Sequence, residues 1–279
     1  MTENKSESYS LAEQADLATA VVRRAASLAA RMRADGLETE FKTSISDVVT
    51  EADRTAEKLV VESLSSLRPQ DGILGEEGSA KYSESGLTWV IDPVDGTYNF
   101  TTGSDYWCSA IALVEGDPEK PERVILGAVS RPATGETWVG GPDLPTTRVE
   151  ADGTRTELTI HDATLNTVCA GTYLHSTAID PDSHTPEDID CARRWADATS
   201  RFATWRVMGS ASIDLAGVAD GRLGAWFQRD VAPWDWLPGY ALVCGAGGVG
   251  TLAGRWRVAG SQSSVAELAS ILGDSPTVD

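Results

Sequence analysis

The sequence predicts a mixed α/β (α+β) protein on three observations: a long helical repeat near the N-terminus, a run of strand patterns between residues 88 and 140, and a second half in which the two patterns alternate. Leu17, Val21, Ala25, Leu28 and Met32 recur every three or four residues, which predicts an amphipathic helix over 11–34 that ends near Asp35-Gly36. A second helix is expected from about Asp53, carrying Leu59, Val60, Leu64 and Leu67 toward Pro69. The stretch GILGEEGS then reads as a short apolar strand running into two glutamates. Strand patterns follow at 88–92, 106–115, 123–131 and 136–140. EGDPEKPE and PATG separate the last three, which makes a meander. Asp152-Gly153 marks one more hairpin turn. Beyond residue 163, helices are expected near 187–201, 210–219, 235–245 and 262–272, with short strands such as LGAWF and GGVGTLAG between them. No Gly/Ser-rich or Pro-rich linker interrupts the chain, so two halves, 1–155 and 156–279, are expected to share an extensive interface.

Composition narrows the function. A chain of 279 residues with 41% hydrophobic content can bury a substantial core. Its net charge of −19 argues against a nucleic-acid partner or an anionic membrane, because phosphate backbones are bound by clustered Lys and Arg. Small molecules and metal cations suit it better. The opening MTENKSESYS is polar and the apolar stretch after it is broken by Arg23 and Arg24, so neither a signal-peptide core nor a membrane span is expected, and the protein reads as cytoplasmic. Cys108, Cys169, Cys191 and Cys244 lack CxxC spacing and lie among apolar or small residues, as reduced structural thiols do.

The acidic residues carry the chemistry. Four stretches share one construction, an apolar run followed by carboxylates at a turn: DVVTEAD with Asp53, GILGEE with Glu76 and Glu77, WVIDPVD with Asp92 and Asp95, and VAPWDW with Asp235. Any one of them is ordinarily a helix cap or a turn residue. Four together favour a shared oxygen-rich cation site, since hard cations such as Mg²⁺ take carboxylates, carbonyls and water. DPVDGT also has the makings of an anion site, because a turn at Asp95 would leave the N–H groups of Gly96 and Thr97 pointing outward. Cations beside an anion pocket suggest phosphoryl-ester chemistry. Other phosphate machinery is missing: there is no GxxxxGK[ST] loop, and Pro93 stands where a DxDGT motif needs its first aspartate. There is no GxSxG elbow, no EF-hand spacing, and His161, His175 and His184 form no metal-spaced pair.

These motifs resemble the inositol monophosphatase family of magnesium-dependent, lithium-sensitive phosphatases, which includes fructose-1,6-bisphosphatase-like branches. WVIDPVDGTYNF is similar to the family's first signature and PWDWLPGYALVCGAGGV to its second, with KTSISDVVTEAD and ILGEEG ahead of both, matching the family's other elements in order and spacing. The resemblance spans residues 11–272. It implies a layered αβαβα sandwich and two or three Mg²⁺ ions. Glu76, Asp92 and the Val94 carbonyl would hold one ion; Asp92, Asp95 and Asp235 a second; Glu76 a weaker third. Thr97, supported by Asp53, would orient and help deprotonate the attacking water, making Glu76, Thr97, Asp53 and Asp95 the catalytic set. Asp95, Gly96 and Thr97 would hold the phosphate, and Gly209, Ser210, Ala211, Gln228 and Asp235 would meet the rest of the substrate. Glu77 would tune the site, and Lys42 matches a family lysine beside it. At residue level, Ser210 or Ser212 is equally a plain helix cap.

Two departures concern the substrate. Many inositol-selective members carry a glutamate seven residues before the second-signature aspartate, where this chain has Gln228, and Asp105 stands where a proline is common. The expected protein is an Mg²⁺-dependent phosphomonoesterase, and a homodimer, with inositol 1-phosphate as the favoured substrate. Histidinol phosphate or a sugar phosphate is the alternative within enzymes; a non-catalytic binding protein on the same fold is the alternative outside them.

Overall fold

A computed structural model describes residues 9–36, 39–41, 48–174 and 185–273. The first helix, α1 (Leu11–Asp35), is opened by a capping box in which Ser10 accepts the Glu13 N–H and Glu13 reaches back to Ser10. A short antiparallel pair follows, β1 (Thr39–Phe41) with β2 (Val48–Thr50), and leads into α2 (Glu51–Leu67). α2 starts two residues earlier than the sequence pattern suggests. The reason is Thr50, whose hydroxyl caps the Ala52 and Asp53 N–H groups while Asp53 accepts the Thr50 N–H, so Asp53 lies inside the first turn.

The meander builds an eight-stranded sheet from β3 (Gly72–Gly75), β4 (Ala80–Lys81), β5 (Leu87–Asp95), β6 (Cys108–Glu115), β7 (Arg123–Arg131), β8 (Glu136–Gly141), β9 (Leu144–Val149) and β10 (Arg155–Glu157). Its order is β10-β9-β8-β7-β6-β5-β3-β4, antiparallel except where β3 runs parallel to β5. A short helix, α3 (Thr97–Thr101), follows β5 directly. A five-stranded sheet comes from the rest of the chain: β11 (Cys169–Tyr173), β12 (Thr204–Arg206), β13 (Ala225–Arg229), β14 (Val249–Ala253) and β15 (Trp256–Gly260), in the order β12-β11-β13-β15-β14. Four helices accompany it: α4 (Pro186–Thr199), α5 (Ala211–Ala219), α6 (Pro233–Gly245) and α7 (Gln262–Leu272).

Side-chain alternation sorts these elements into five layers. Trp89, Ile91, Ile111 and Leu113 point to one face of the large sheet and pack with α1 and α2. Val90, Ala112 and Val114 point to the other face and pack with α5 and α6. The same middle helices receive Trp226 from β13, while its neighbours Ala225 and Phe227 turn outward with Trp256 and Val258 against α7. The stack is therefore αβαβα, as expected from the resemblance. α5 and α6 are largely apolar around their circumference, Asp214 and Asp235 apart, because a sheet covers them on either side. Among the described residues no helix is long and apolar enough to cross a membrane.

Candidate active site

Two parallel strand ends open the site. β3 and β5 lie side by side, so Glu76, just after β3, sits next to the end of β5 and its N–H donates to the Ile91 carbonyl at 3.1 Å. On β5 itself Asp92 and Asp95 are three residues apart, an odd spacing that strict strand alternation would send to opposite faces. The pairing with β6 shifts register between Asp92 and Asp95, and this bulge returns both carboxylates to one place. α6 delivers the third carboxylate from its first turn. One oxygen from each of Asp92, Asp95 and Asp235 lies within 4.8 Å of the others.

Like charges this close are costly without a counter-ion. Asp92 is 1% exposed and Asp95 5%. Burial pushes the Asp92 carboxyl well above the usual range, and Glu76, Asp95 and Asp235 push it further. Asp235 is raised by burial and then by Asp95 and Glu76. Asp95 is raised by burial too, although the Ser212 N–H at 2.6 Å and the Ser210 hydroxyl at 2.9 Å, both donating to its Oδ2, work the other way. Among the described residues no Lys or Arg forms an ion pair with Asp92, Asp95 or Asp235. Oxygen donors, convergence and uncompensated repulsion all fit a hard divalent cation.

Beside the carboxylates the chain turns sharply into α3. Gly96 has φ of +91°, and a Cβ there would meet the carbonyl oxygens of Gly209 and Tyr106 at 3.0 Å, so both the conformation and the space require glycine. The Thr97 hydroxyl lies 3.0 Å from the Val94 carbonyl oxygen and 3.2 Å from Asp53 Oδ1. Asp53 is fully buried behind it, with Oδ2 taken by the N–H and hydroxyl of Thr50. Burial raises the Asp53 carboxyl above its ordinary range, against those hydrogen bonds.

A cavity of about 430 Å³, well sized for a small ligand, brings most of the sequence candidates together. Glu76, Asp92, Val94, Asp95, Gly96, Thr97, Gly209, Ser210, Ala211, Gln228 and Asp235 all line it. Asp53 does not; it reaches the cavity only through Thr97. Ser210 is both the α5 cap, accepting the Ile213 N–H, and a donor to Asp95. Lys42, His175 and His184 lie outside the described residues.

Several neighbours were not singled out by the sequence. Asn99, inside the quoted first signature, donates to the carbonyls of Tyr106 and Met208 and ties α3 to the entrance of α5. Cys108, read as a structural thiol, is a free thiol 3.8 Å from Asp95 Oδ2, with burial and then the Asp95 charge holding it protonated. Asp214, 2% exposed on α5, accepts the Tyr106 hydroxyl at 2.6 Å and is pushed up to about 7 by burial. Its signal was present, since an aspartate one turn after Ser210 in the otherwise apolar helix pattern SIDLAGVA has no solvent to face.

An αβαβα sandwich with a carboxylate-walled cavity, sized for a small ligand, at parallel strand ends points to a phosphoester hydrolase class rather than one enzyme. The sequence model of the inositol monophosphatase family matches residues 6–273, and the chain belongs to this family of phosphoric monoester hydrolases. The chain is 34% identical over 210 residues to an inositol-1-monophosphatase of Rhizobium meliloti, covering 74% of this chain and 72% of that one. It is 30% identical over 213 residues to a fructose-1,6-bisphosphatase/inositol-1-monophosphatase of Thermotoga maritima, covering 76% and 74%. Among solved structures, Mycobacterium tuberculosis SuhB superposes with a TM-score of 0.75 at 28% identity, over 94% of this chain and 96% of that one.

Proposed function

We propose that this chain hydrolyses the phosphate monoester of a small polyol with Mg²⁺ as cofactor, and that inositol 1-phosphate is its best substrate. The observation that carries the reading is the convergence of Asp92, Asp95 and Asp235, with no ion-paired Lys or Arg among the described residues, next to the left-handed Gly96. Glu76, Asp92 and the Val94 carbonyl would hold one Mg²⁺ and Asp92, Asp95 and Asp235 a second, with Glu76 available to a third. Bound there, Mg²⁺ supplies charge that polarises the phosphoryl group, acidifies water and stabilises a leaving alkoxide.

The chain's own residues do the rest. Thr97 Oγ1 stands between Asp53 Oδ1 and the Val94 carbonyl, so it can take a proton from an attacking water while passing its own to Asp53 Oδ1. The raised affinity of buried Asp53 for a proton suits an acceptor at the end of that relay. The N–H groups of Gly96 and Thr97 hold phosphate oxygens, while Gly209, Ala211 and Gln228 face the alcohol. Ser210 contributes from behind, by fixing Asp95. In this reading residues 1–155 supply most of the cation ligands and 156–279 supply Asp235 and the alcohol side.

Gln228 favours a broader range of esters, including histidinol phosphate or a sugar phosphate, because an amide brings no charge to a hydroxyl contact. Cytoplasmic location and a homodimer belong to the same proposal. The exposed Trp205, Val207 and Met208, the last two on the cavity wall, support the dimer; sedimentation would measure it. The function itself is tested by assaying a panel of phosphate esters with Mg²⁺, using Asp95→Asn as the control. Hydrolysis of inositol 1-phosphate is expected, with kcat reduced at least about a hundredfold in Asp95→Asn, the scale of losing one preorganised charge at a reacting centre. Equal rates in the two proteins would refute the site.

A further inference from the structure

One turn after Asp53, the same face of α2 carries a second buried carboxylate, Glu57, which is 2% exposed. No Lys or Arg among the described residues pairs with it. Instead it accepts two backbone amides, the Glu77 N–H on Oε2 at 2.9 Å and the Ser79 N–H on Oε1 at 3.0 Å. Both amides belong to the turn from Glu76 to Ser79 that leaves β3, a turn closed by the Gly75 N–H on the Ser79 carbonyl at 2.7 Å. Gly75 passes so near that a Cβ there would overlap the Glu57 carboxylate. The carboxylate is thus the template around which the turn is wrapped. A carboxylate can accept at both oxygens, whereas a glutamine in its place would set its NH₂ against one of the two amides.

We propose that Glu57 is a positioning residue that sets the affinity of the site for Mg²⁺, by holding the 76–79 turn in the shape that aims Glu76 into the cavity. The proposal rests on the reading of Glu76 as a cation ligand. It also gives α2 a double role: Asp53 on its first turn fixes Thr97, and Glu57 on its second fixes the turn bearing Glu76. Glu57 touches neither the cavity nor the reacting atoms, so its loss should move cation binding and leave the chemistry intact once the site is filled.

Calorimetric titration with Mg²⁺ alone tests this on the wild type, Glu57→Gln, Glu76→Gln and the double variant, together with kcat at saturating Mg²⁺. Supporting metal ligands are worth about tenfold to a hundredfold in affinity. Glu57→Gln should therefore weaken Mg²⁺ binding by about that factor, regain kcat to within a few-fold at saturation, and add nothing further in the Glu76→Gln background. An unchanged Mg²⁺ affinity in Glu57→Gln, or full additivity in the double variant, overturns the proposal. Unchanged affinity in Glu76→Gln alone is a different result, which removes Glu76 from the ligand set and the proposal with it. If Glu57→Gln does not fold, Glu57→Asp, whose shorter side chain reaches one amide at most, is judged by the same criteria.

Discussion

Asp214 accepts one phenol and has no ion-paired Lys or Arg among the described residues; burial raises its carboxyl, the Tyr106 hydroxyl lowers it and the Asp95 charge raises it again. Its folded value of about 7 exceeds the ordinary value near 4, so between those limits the folded protein binds more protons than the unfolded chain. Its contribution to stability is therefore fully present below about pH 4 and is lost as pH rises through 7. Asp214→Asn keeps the acceptor for Tyr106 and removes the titration. The stability difference, variant minus wild type, should grow in the variant's favour by on the order of 1 kcal/mol per pH unit between pH 5 and 7. Denaturation of both proteins across that range measures it, and parallel curves would show that Asp214 does not ionise there. Gln228 has a different lesson. In the proposed reading Gly96 and Thr97 would engage only the phosphate, so selectivity would rest on the cavity residues that meet the alcohol, Gln228 among them. Gln228→Glu should shift relative kcat/KM toward inositol 1-phosphate by roughly tenfold, the difference between a charge-assisted and a neutral hydrogen bond. Unchanged ratios across the ester panel would take Gln228 out of contact with substrate.

At the scale of elements, the start of α2 joins stability to the site. Thr50 caps the helix and at the same time satisfies Asp53, the acceptor for Thr97. Thr50→Ala should cost about 1 kcal/mol as a lost cap and also lower kcat, because Asp53 loses the hydrogen bonds that fix it; Thr50→Ser should restore both. Melting curves and rates on the two variants check this, and a stability loss with unchanged kcat would separate Asp53 from the chemistry. Long periodic elements such as α1, β6, β7 and α7 are legible from sequence because one repeating face meets one large surface. β1, β2 and β12 are three residues each, and β11 is five with two small residues, so tertiary pairing rather than pattern decides them. The convergence of Asp92, Asp95 and Asp235 was legible because several apolar runs each end in carboxylates, a repetition that single caps or turns do not explain. The bulge that lets Asp92 and Asp95 share a face, and Glu57 beneath the next turn, are set by strand register and helix docking, which no local pattern encodes.

The whole molecule places its acidic centre across layers. Asp92 and Asp95 come from the large sheet, Asp235 from the middle helices and Gln228 from the small sheet, so the cavity exists only when the layers are docked. Docking therefore drives three carboxylates together in a chain already at −19. All three are raised by burial, and Asp92 and Asp235 also by their acidic neighbours, so the cation-free protein is most stable while they remain protonated and loses that contribution as pH rises through their raised values. A Mg²⁺ bound at the proposed site would compete with those protons for the same oxygens. Its stabilising effect should consequently be larger at pH 8 than at pH 6. At a concentration a hundred times its dissociation constant, one bound ion contributes about 2.7 kcal/mol. Screening of surface charge by Na⁺ at matched ionic strength acts on the −19 as a whole and should give a smaller, less pH-dependent rise in Tm. Melting curves at the two pH values, in Mg²⁺ and in matched Na⁺, distinguish a site from a charge cloud. Identical shifts in the two salts would mean that the three carboxylates do not act as one cation centre.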